Sequence, residues 1–299
     1  MNTGGQGFSV SNAHKDLHVA LDTSVLKPRA DQAIAAGTPL RFGMTFRGGT
    51  SDLMLRYWLA AGGIDPIKDV AILVVPGAQL VSNVKVRNLD GFSVGDPWHV
   101  WLINQKLGYT ASTSNEFWQD HPEKALTFRA DWVDKHPKAV KAIVKAVLEA
   151  QRWCDKPENR DELCQIISGP EWAKVPVKDI VDRMEGRINY GNDRPIVQNS
   201  PNIMRYWKNN ASYPYKSHDL WFLTENIRWG MLPQDLDTKK VIDAVNREDI
   251  WREAAKEIGV PTVQIPQTSS RGVETFFDGV KFDPKNSTGY LKNLKIKQV

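Results

Sequence analysis

Between residues 38 and about 110 extended apolar runs alternate with helical ones, and no other feature of the chain limits its fold as much. Leu40 to Phe46 reads as a strand, about Asp52–Ala61 as an amphipathic helix, and Val70–Val75 as a second strand bounded by Asp69 and Pro76. A helix from Ala78 to about Asn88 follows, with Leu80, Val81, Val84 and Val86 as candidate core contacts. Asp90–Gly95 is a short buried strand, and Asp96-Pro97 opens a helix through Trp98, Trp101, Leu102 and Lys106. Strands alternating with helices imply βαβ units and a parallel sheet. Ligands of such sheets sit at the carboxyl ends of the strands. The Thr45–Ser51, Pro76-Gly77 and Gly95-Asp96 turns all lie at that edge.

The first of these turns carries the strongest chemical signal. Met44-Thr45-Phe46-Arg47-Gly48-Gly49-Thr50-Ser51-Asp52 runs from a strand through two glycines into a helix that stops at Gly62-Gly63. Thr50, Ser51 and Asp52 are residue types that cap helices. Paired glycines let backbone approach a guest, and a helix start points free N–H groups and partial positive charge at it. This is a receptacle for a small anion with no catalytic group, unless it is an ordinary β-α turn.

A second region starts at Thr127-Phe128-Arg129-Ala130-Asp131-Trp132-Val133. Pro137 to Trp153 forms a helix with Val140, Ile143, Val144, Val147 and Leu148 on its apolar face and Lys138, Lys141 and Lys145 on its wet face. Further helices are expected at about Val177–Glu185, Trp221–Trp229 and Thr238–Glu257, with residues 186–220 irregular. The tail from Gly259 lacks periodic runs and is expected to wrap the surface.

The net charge of +4, from 39 basic and 35 acidic residues, is scattered. It suits an anionic small molecule and falls short of a nucleic-acid-binding patch. Eleven tryptophans serve thick cores and polar clefts alike. Cys154 and Cys164, without a nearby histidine pair, do not make a zinc site. Two buried or partly buried free thiols are expected, with a disulfide as the alternative. No apolar stretch reaches the ~18–20 residues of a membrane span. The first residues have no basic and apolar leader pattern, and their glycine-rich chemistry suggests an absent upstream portion.

Phosphate-loop, nucleophile-elbow and His-Glu-x-x-His signatures are all lacking. The six histidines, His14, His18, His99, His121, His136 and His218, form no recognisable ligand cluster. His121-Pro122-Glu123-Lys124 falls where the chain passes between regions, and Lys124 over a cleft would give an anion a point charge. An ordinary solvated lysine is the competing reading. Asp96 caps the next helix, or else holds a metal or salt-bridges a ligand lysine.

The motifs resemble the nitrate/bicarbonate-binding proteins of bacterial ABC transporters, in the nitrate/sulfonate/taurine branch of solute-binding proteins with the type II periplasmic-binding fold. The resemblance rests on Gly4-Gly5-Gln6-Gly7, Met44–Asp52 with Arg56–Pro66, Val74–Gln79, Gly95-Asp96-Pro97-Trp98, His121–Lys124, Arg129–Val133 and Ser212–Asn226, in family order over nearly the whole chain. It implies an α/β protein of two lobes, the first incomplete. Residues 1–37 would be an inter-lobe segment and remnant of lobe one, 38–122 an α/β lobe two bearing the anion turns, and 123–299 a helical return to lobe one plus a wrapping extension.

The resemblance implies a non-enzymatic substrate-binding component of nitrate or nitrite uptake. Its partners would be a small oxyanion and the ABC permease and ATPase subunits, and its place periplasmic or anchored on the outer face. The alternatives are a cytoplasmic nitrate sensor controlling an RNA-binding antiterminator, without direct nucleic-acid binding, and a bicarbonate binder. An enzymatic reading, after a pyrimidine-forming relative in the wider superfamily, lacks the matching histidine and cysteine run. The anion site is expected from Gln6, Thr45, Gly48, Gly49, Thr50, Ser51, Pro76, Gly95 and Lys124, with Asp96 as support or a possible metal ligand. No cofactor is expected, and calcium only with bicarbonate. The family turn usually reads Phe-Pro-Gly-Gly-Thr-His; here Arg47 and Ser51 replace the proline and the anion-touching histidine. Lys124 matches the nitrate binders, whereas bicarbonate binders tend to have glutamate there. Nitrate only accepts hydrogen bonds, so donors plus one cation suit it.

Overall fold

The alternating segment folds into a sheet whose turns gather at one edge, in a computed structural model that describes residues 1–298. The strands of the main sheet are β1 (Gln6–Ser11), β2 (Leu40–Met44), β3 (Val70–Val74), β4 (Gly91–Gly95) and β5 (Gly108–Thr113), in the spatial order β3-β2-β4-β1-β5. β2 runs parallel to β3 and to β4, which puts their carboxyl ends, and the three expected turns, side by side. β1 is antiparallel to both β4 and β5, with Gln6 opposite Gly95. The sheet is therefore mixed, not purely parallel. β1 also places the start of the chain inside the same sheet as residues 40–113, so no sheet boundary falls at residue 37.

Helices cover the strands: α1 (Lys27–Ala35), α2 (Thr50–Ala61), α3 (Gly77–Lys85), α4 (Trp98–Asn104) and the short α5 (Ser114–Phe117). The second region contributes α6 (Ala130–Lys135), α7 (Pro137–Cys154), α8 (Arg160–Ser168), α9 (Val181–Met184), α10 (Lys216–Arg228), α11 (Thr238–Val245) and α12 (Glu248–Glu257). The two-stranded ribbon β6 (Glu274–Thr275) and β7 (Lys281–Phe282) precedes α13 (Ser287–Asn293). The expected Thr238–Glu257 helix is split. The Asn246 side chain donates to Pro214 O at 2.8 Å and Asp219 Oδ2 at 2.6 Å and accepts from Glu248 N–H at 3.0 Å, bonds that a continuous helix would not allow. The expected Val177–Glu185 helix is a 3₁₀ turn at Val177–Asp179 followed by α9, and α10 begins at Lys216 within the stretch expected to be irregular.

α2 is the axis of the core. Leu53, Met54, Leu55, Tyr57, Trp58 and Leu59 are all buried, so this helix is covered on every side. Phe8 of β1 stacks on Trp58 with centroids 4.8 Å apart. Each fully buried apolar side chain of this kind contributes roughly 1.5–3 kcal/mol. The covering on the far side comes from the tail: Phe276, Phe282 and Tyr290 are buried in the same cluster, and Phe276 packs on Tyr57 at 5.2 Å. The tail thus also completes the core, through isolated aromatics without any period. Cys154 and Cys164 are free thiols, half-buried and buried. No helix among the described residues is long and apolar enough to cross a membrane.

Candidate functional site

The glycine turn is held by the side chains that follow it. Gly48 takes φ +73°, a left-handed conformation, and a Cβ there would come within 2.5 Å of Asn226 Oδ1. The Asn226 amide donates to Gly48 O at 3.1 Å and to Phe222 O at 2.9 Å, so α10 clamps the turn. Gly48 N–H donates to Asp52 Oδ2 at 2.8 Å, and Arg56 Nε donates to Asp52 Oδ1 at 2.7 Å. Asp52 is wholly buried and Arg56 nearly so, and a buried carboxylate is tolerated because both its oxygens are satisfied, one by a cation. Ser51 Oγ accepts from Thr45 N–H at 3.3 Å and lies 3.0 Å from Thr45 Oγ1.

These bonds correct the expected capping. The N-cap of α2 is Gly49, with no side-chain cap, and Asp52 and Ser51 satisfy turn amides upstream instead. Thr50 and Ser51 occupy the first turn of the helix, where N–H groups have no intrahelical acceptor. The helix start stays open to an anion.

Gln6 and Lys124 meet at a residue not expected in the site. Gln6 Nε2 donates to Glu123 Oε1 at 2.6 Å, and the Lys124 ammonium bonds the same oxygen. The Glu123 side chain is only 3% exposed, whereas Lys124 is 67% exposed. Thr50 Oγ1 donates to the Glu123 carbonyl at 3.4 Å, which brings the helix start to this pair. Glu123 Oε2 and Gln6 Oε1 are buried without a hydrogen-bond partner. Gln6 N–H donates to Ser114 Oγ at 3.1 Å, and Ser114 lies 2.7 Å from His121 Nε2. His121 Nδ1 donates to Pro122 O at 3.0 Å, so Nε2 accepts the Ser114 proton. Burial holds the His121 pKa below its ordinary value, which keeps the ring neutral in this chain of bonds.

Gly95 pairs with Gln6 across β4 and β1, and its neighbour Asp96 donates its N–H to Gly5 O at 2.8 Å. Pro76 is the N-cap of α3 and is exposed. Asp96 does not cap α4, whose N-cap is Pro97. Its carboxylate pairs with Arg183 of α9 at 3.0 Å. Asp96, Arg183, Asp179, Met204 and Tyr206 line a cavity of about 50 Å³. None of Gly48, Gly49, Ser51 or Lys124 lines it. Among the described residues no group of three or more His, Cys, Asp or Glu side chains is placed to hold a metal.

The structure therefore joins Thr45, Gly48, Gly49, Thr50 and Ser51 in one turn, joins Gln6 to Lys124 through Glu123, and ties the two groups together at Thr50. Glu123 and Asn226 were missed as site residues, although each lies in a quoted motif. Their roles come from contacts between segments 117 and 178 residues apart, which spacing does not reveal.

Residues 1–168 match the model of the NMT1-like family. Over its full length the chain is 54% identical to the nitrate/nitrite binding protein NrtA of Synechocystis sp., of which it covers 66%. It is 42% identical over 309 aligned residues to the bicarbonate-binding protein CmpA of Synechococcus elongatus, covering 68% of that protein. The chain thus spans about two thirds of the length of these curated relatives. The crystal structure of the periplasmic nitrate-binding protein NrtA from Synechocystis superposes with a TM-score of 0.95 at 55% identity, covering 99% of this chain and 76% of that one. With its α/β sheet and these likenesses, the chain belongs to the NMT1-like family.

Proposed function

We propose that this chain binds a small oxyanion, nitrate or nitrite, as the solute-binding part of an ABC-type uptake system on the outer side of the membrane. One observation carries the reading: the open start of the 12-residue α2, Gln6 and Lys124 converge through Thr50 and Glu123. The Thr50 and Ser51 amides and hydroxyls, the Gln6 amide and one ammonium are donors, and nitrate is an acceptor-only monoanion. The first lobe of the intact binder would stand opposite the turn. In this reading the permease and ATPase subunits receive the anion, and the protein performs no chemical step on it.

Isothermal calorimetry with sodium nitrate and sodium nitrite tests the reading. The unsubstituted chain is expected to give a saturable heat, and Lys124→Glu to abolish it, because a reversed charge then faces a monoanion in a partly desolvated site. Equal nitrate affinity in Lys124→Glu would remove Lys124 from the ligand set. No heat from any preparation that includes the full-length form would overturn the assignment.

A further inference from the structure

The tail from Arg271 to Phe277 runs back along the residues that lead into the 121–124 segment. Phe277 N–H donates to Phe117 O at 3.0 Å, and Trp118 Nε1 donates to Glu274 Oε2 at 2.9 Å. Arg271 Nη1 donates to Asp120 O at 2.6 Å, and its Nη2 donates to Gln119 O at 3.2 Å. Among the described residues no backbone N–H donates to these two carbonyls. Glu274 aims the fork: its side chain, 9% exposed, accepts from Arg271 Nε at 2.8 Å and from Nη2 at 2.7 Å. Two such bonds fix the plane of a guanidinium, which a point-like ammonium does not have. Arg271 N–H donates to Ser217 Oγ of α10 at 3.1 Å, so the helix whose Asn226 clamps the glycine turn also anchors this arginine.

Asp120 is a residue that needs holding. It takes φ +51°, a left-handed conformation that a non-glycine residue keeps only where its surroundings impose it. Its carboxylate accepts from Arg205 at 2.6 Å and from Asn209 at 3.1 Å, and its carbonyl accepts from Arg271. The direction in which the chain leaves this turn decides where His121 to Lys124 lie. We propose that Arg271 is a positioning residue of the anion site: its guanidinium, aimed by Glu274, fixes the Gln119-Asp120 turn from which the Lys124 segment enters. The proposal rests on the oxyanion-binding reading above. Without Arg271 the two carbonyls turn toward water, and the backbone of residues 121–124 gains freedom that has to be removed when an ion binds.

The test pairs calorimetric titration of nitrate with amide hydrogen exchange, on the unsubstituted protein, Arg271→Ala, Arg271→Lys and Leu26→Ala. Nitrate should bind about tenfold more weakly to Arg271→Ala. Millimolar guanidinium chloride, but not equal sodium chloride, should restore part of that loss by filling the vacated fork. Exchange at His121 and Glu123, whose N–H groups donate to Trp118 O and Asn2 O, should quicken about tenfold or more, with β2 unchanged. Arg271→Lys keeps the charge but cannot span both carbonyls and both carboxylate oxygens, so its affinity should fall between the two; it also serves if the alanine variant does not fold. Leu26→Ala empties a fully buried position at the N-cap of α1, and should lower stability while leaving nitrate affinity within about twofold of the parent. Unchanged affinity in Arg271→Ala, an equal loss in Leu26→Ala, or exchange at His121 and Glu123 as slow as in the parent would overturn the proposal. Absence of nitrate binding in the unsubstituted protein would count against the binding reading alone, because exchange at His121 and Glu123 still decides what Arg271 holds.

Discussion

Gly48→Ala is expected to destabilise the protein by about 1.5–3.5 kcal/mol, although it adds a single methyl group to a half-buried turn. Two terms make up the figure. At φ +73° an alanine costs about 1–2 kcal/mol in backbone energy. Its Cβ would also stand 2.5 Å from Asn226 Oδ1, so the amide has to turn away. That breaks its 3.1 Å bond to Gly48 O, a loss of about 0.5–1.5 kcal/mol. Urea denaturation followed by tryptophan fluorescence measures the sum. The same substitution in an Asn226→Ser background separates the terms, because serine is too short to meet the new methyl. There Gly48→Ala should cost only the backbone share, about 1–2 kcal/mol. A cost below about 0.5 kcal/mol in the parent would refute the strain argument. An equal cost in both backgrounds would refute the role given to Asn226.

Phe276→Ala should cost about 3–5 kcal/mol, measured by the same denaturation, because the ring is buried against Tyr57, Phe117, Trp118 and Trp221; a loss below about 1 kcal/mol would return the tail to the surface. Acid should destabilise the fold between about pH 6.5 and 4. Burial pushes His99 and His218 each down to about 4, so in that window the unfolded chain takes up protons that the native state refuses. Each histidine contributes about 3 kcal/mol of stability that is complete above the unfolded value and gone below the folded one. Asp219, pushed up to about 6 chiefly by burial, works the other way and offsets part of the loss. Urea midpoints at pH 7.5 and 4.5 check the sign, and a higher midpoint at pH 4.5 would contradict it.

Legibility in the sequence followed the range of the contacts. β2, α2, β3, α3 and β4 were readable because each announces itself locally, by an apolar run or a 3.6-residue stripe between glycines and prolines. β5 was not, since Gly108–Thr113 buries Thr110, Ser112 and Thr113 and shows no apolar run. β1 lies in what reads as a glycine-rich start; its strand character depends on pairing with residues 81–106 positions away. Phe276, Phe282 and Tyr290 belong to the core by tertiary packing alone, and lone aromatics carry no period to detect. Of the expected site residues, the turn is marked by its chemistry, and Lys124 by its place in the motif and by family likeness. Glu123 was hidden by its neighbour: in His121-Pro122-Glu123-Lys124 the cation drew the functional reading, and only folding shows which of the two is buried.

The first six residues have a consequence for how the site meets a guest. Thr3 is bridged to Arg205, Gly4 N–H donates to His121 O, Gly5 O accepts from Asp96 N–H, and Gln6 pairs with Gly95 at the start of β1. That short stretch is a weld between three walls, the 95–96 turn, the 121–124 segment and the loop near residue 205. A wall fixed during folding leaves little ordering entropy to be lost when an ion arrives. Affinity is then limited by desolvation and by the donors present, and not by the fraction of molecules that happen to be shaped for binding. Such a surface should show similar amide exchange protection at residues 4–7 with and without nitrate, as befits a die that is already cut before the metal is struck.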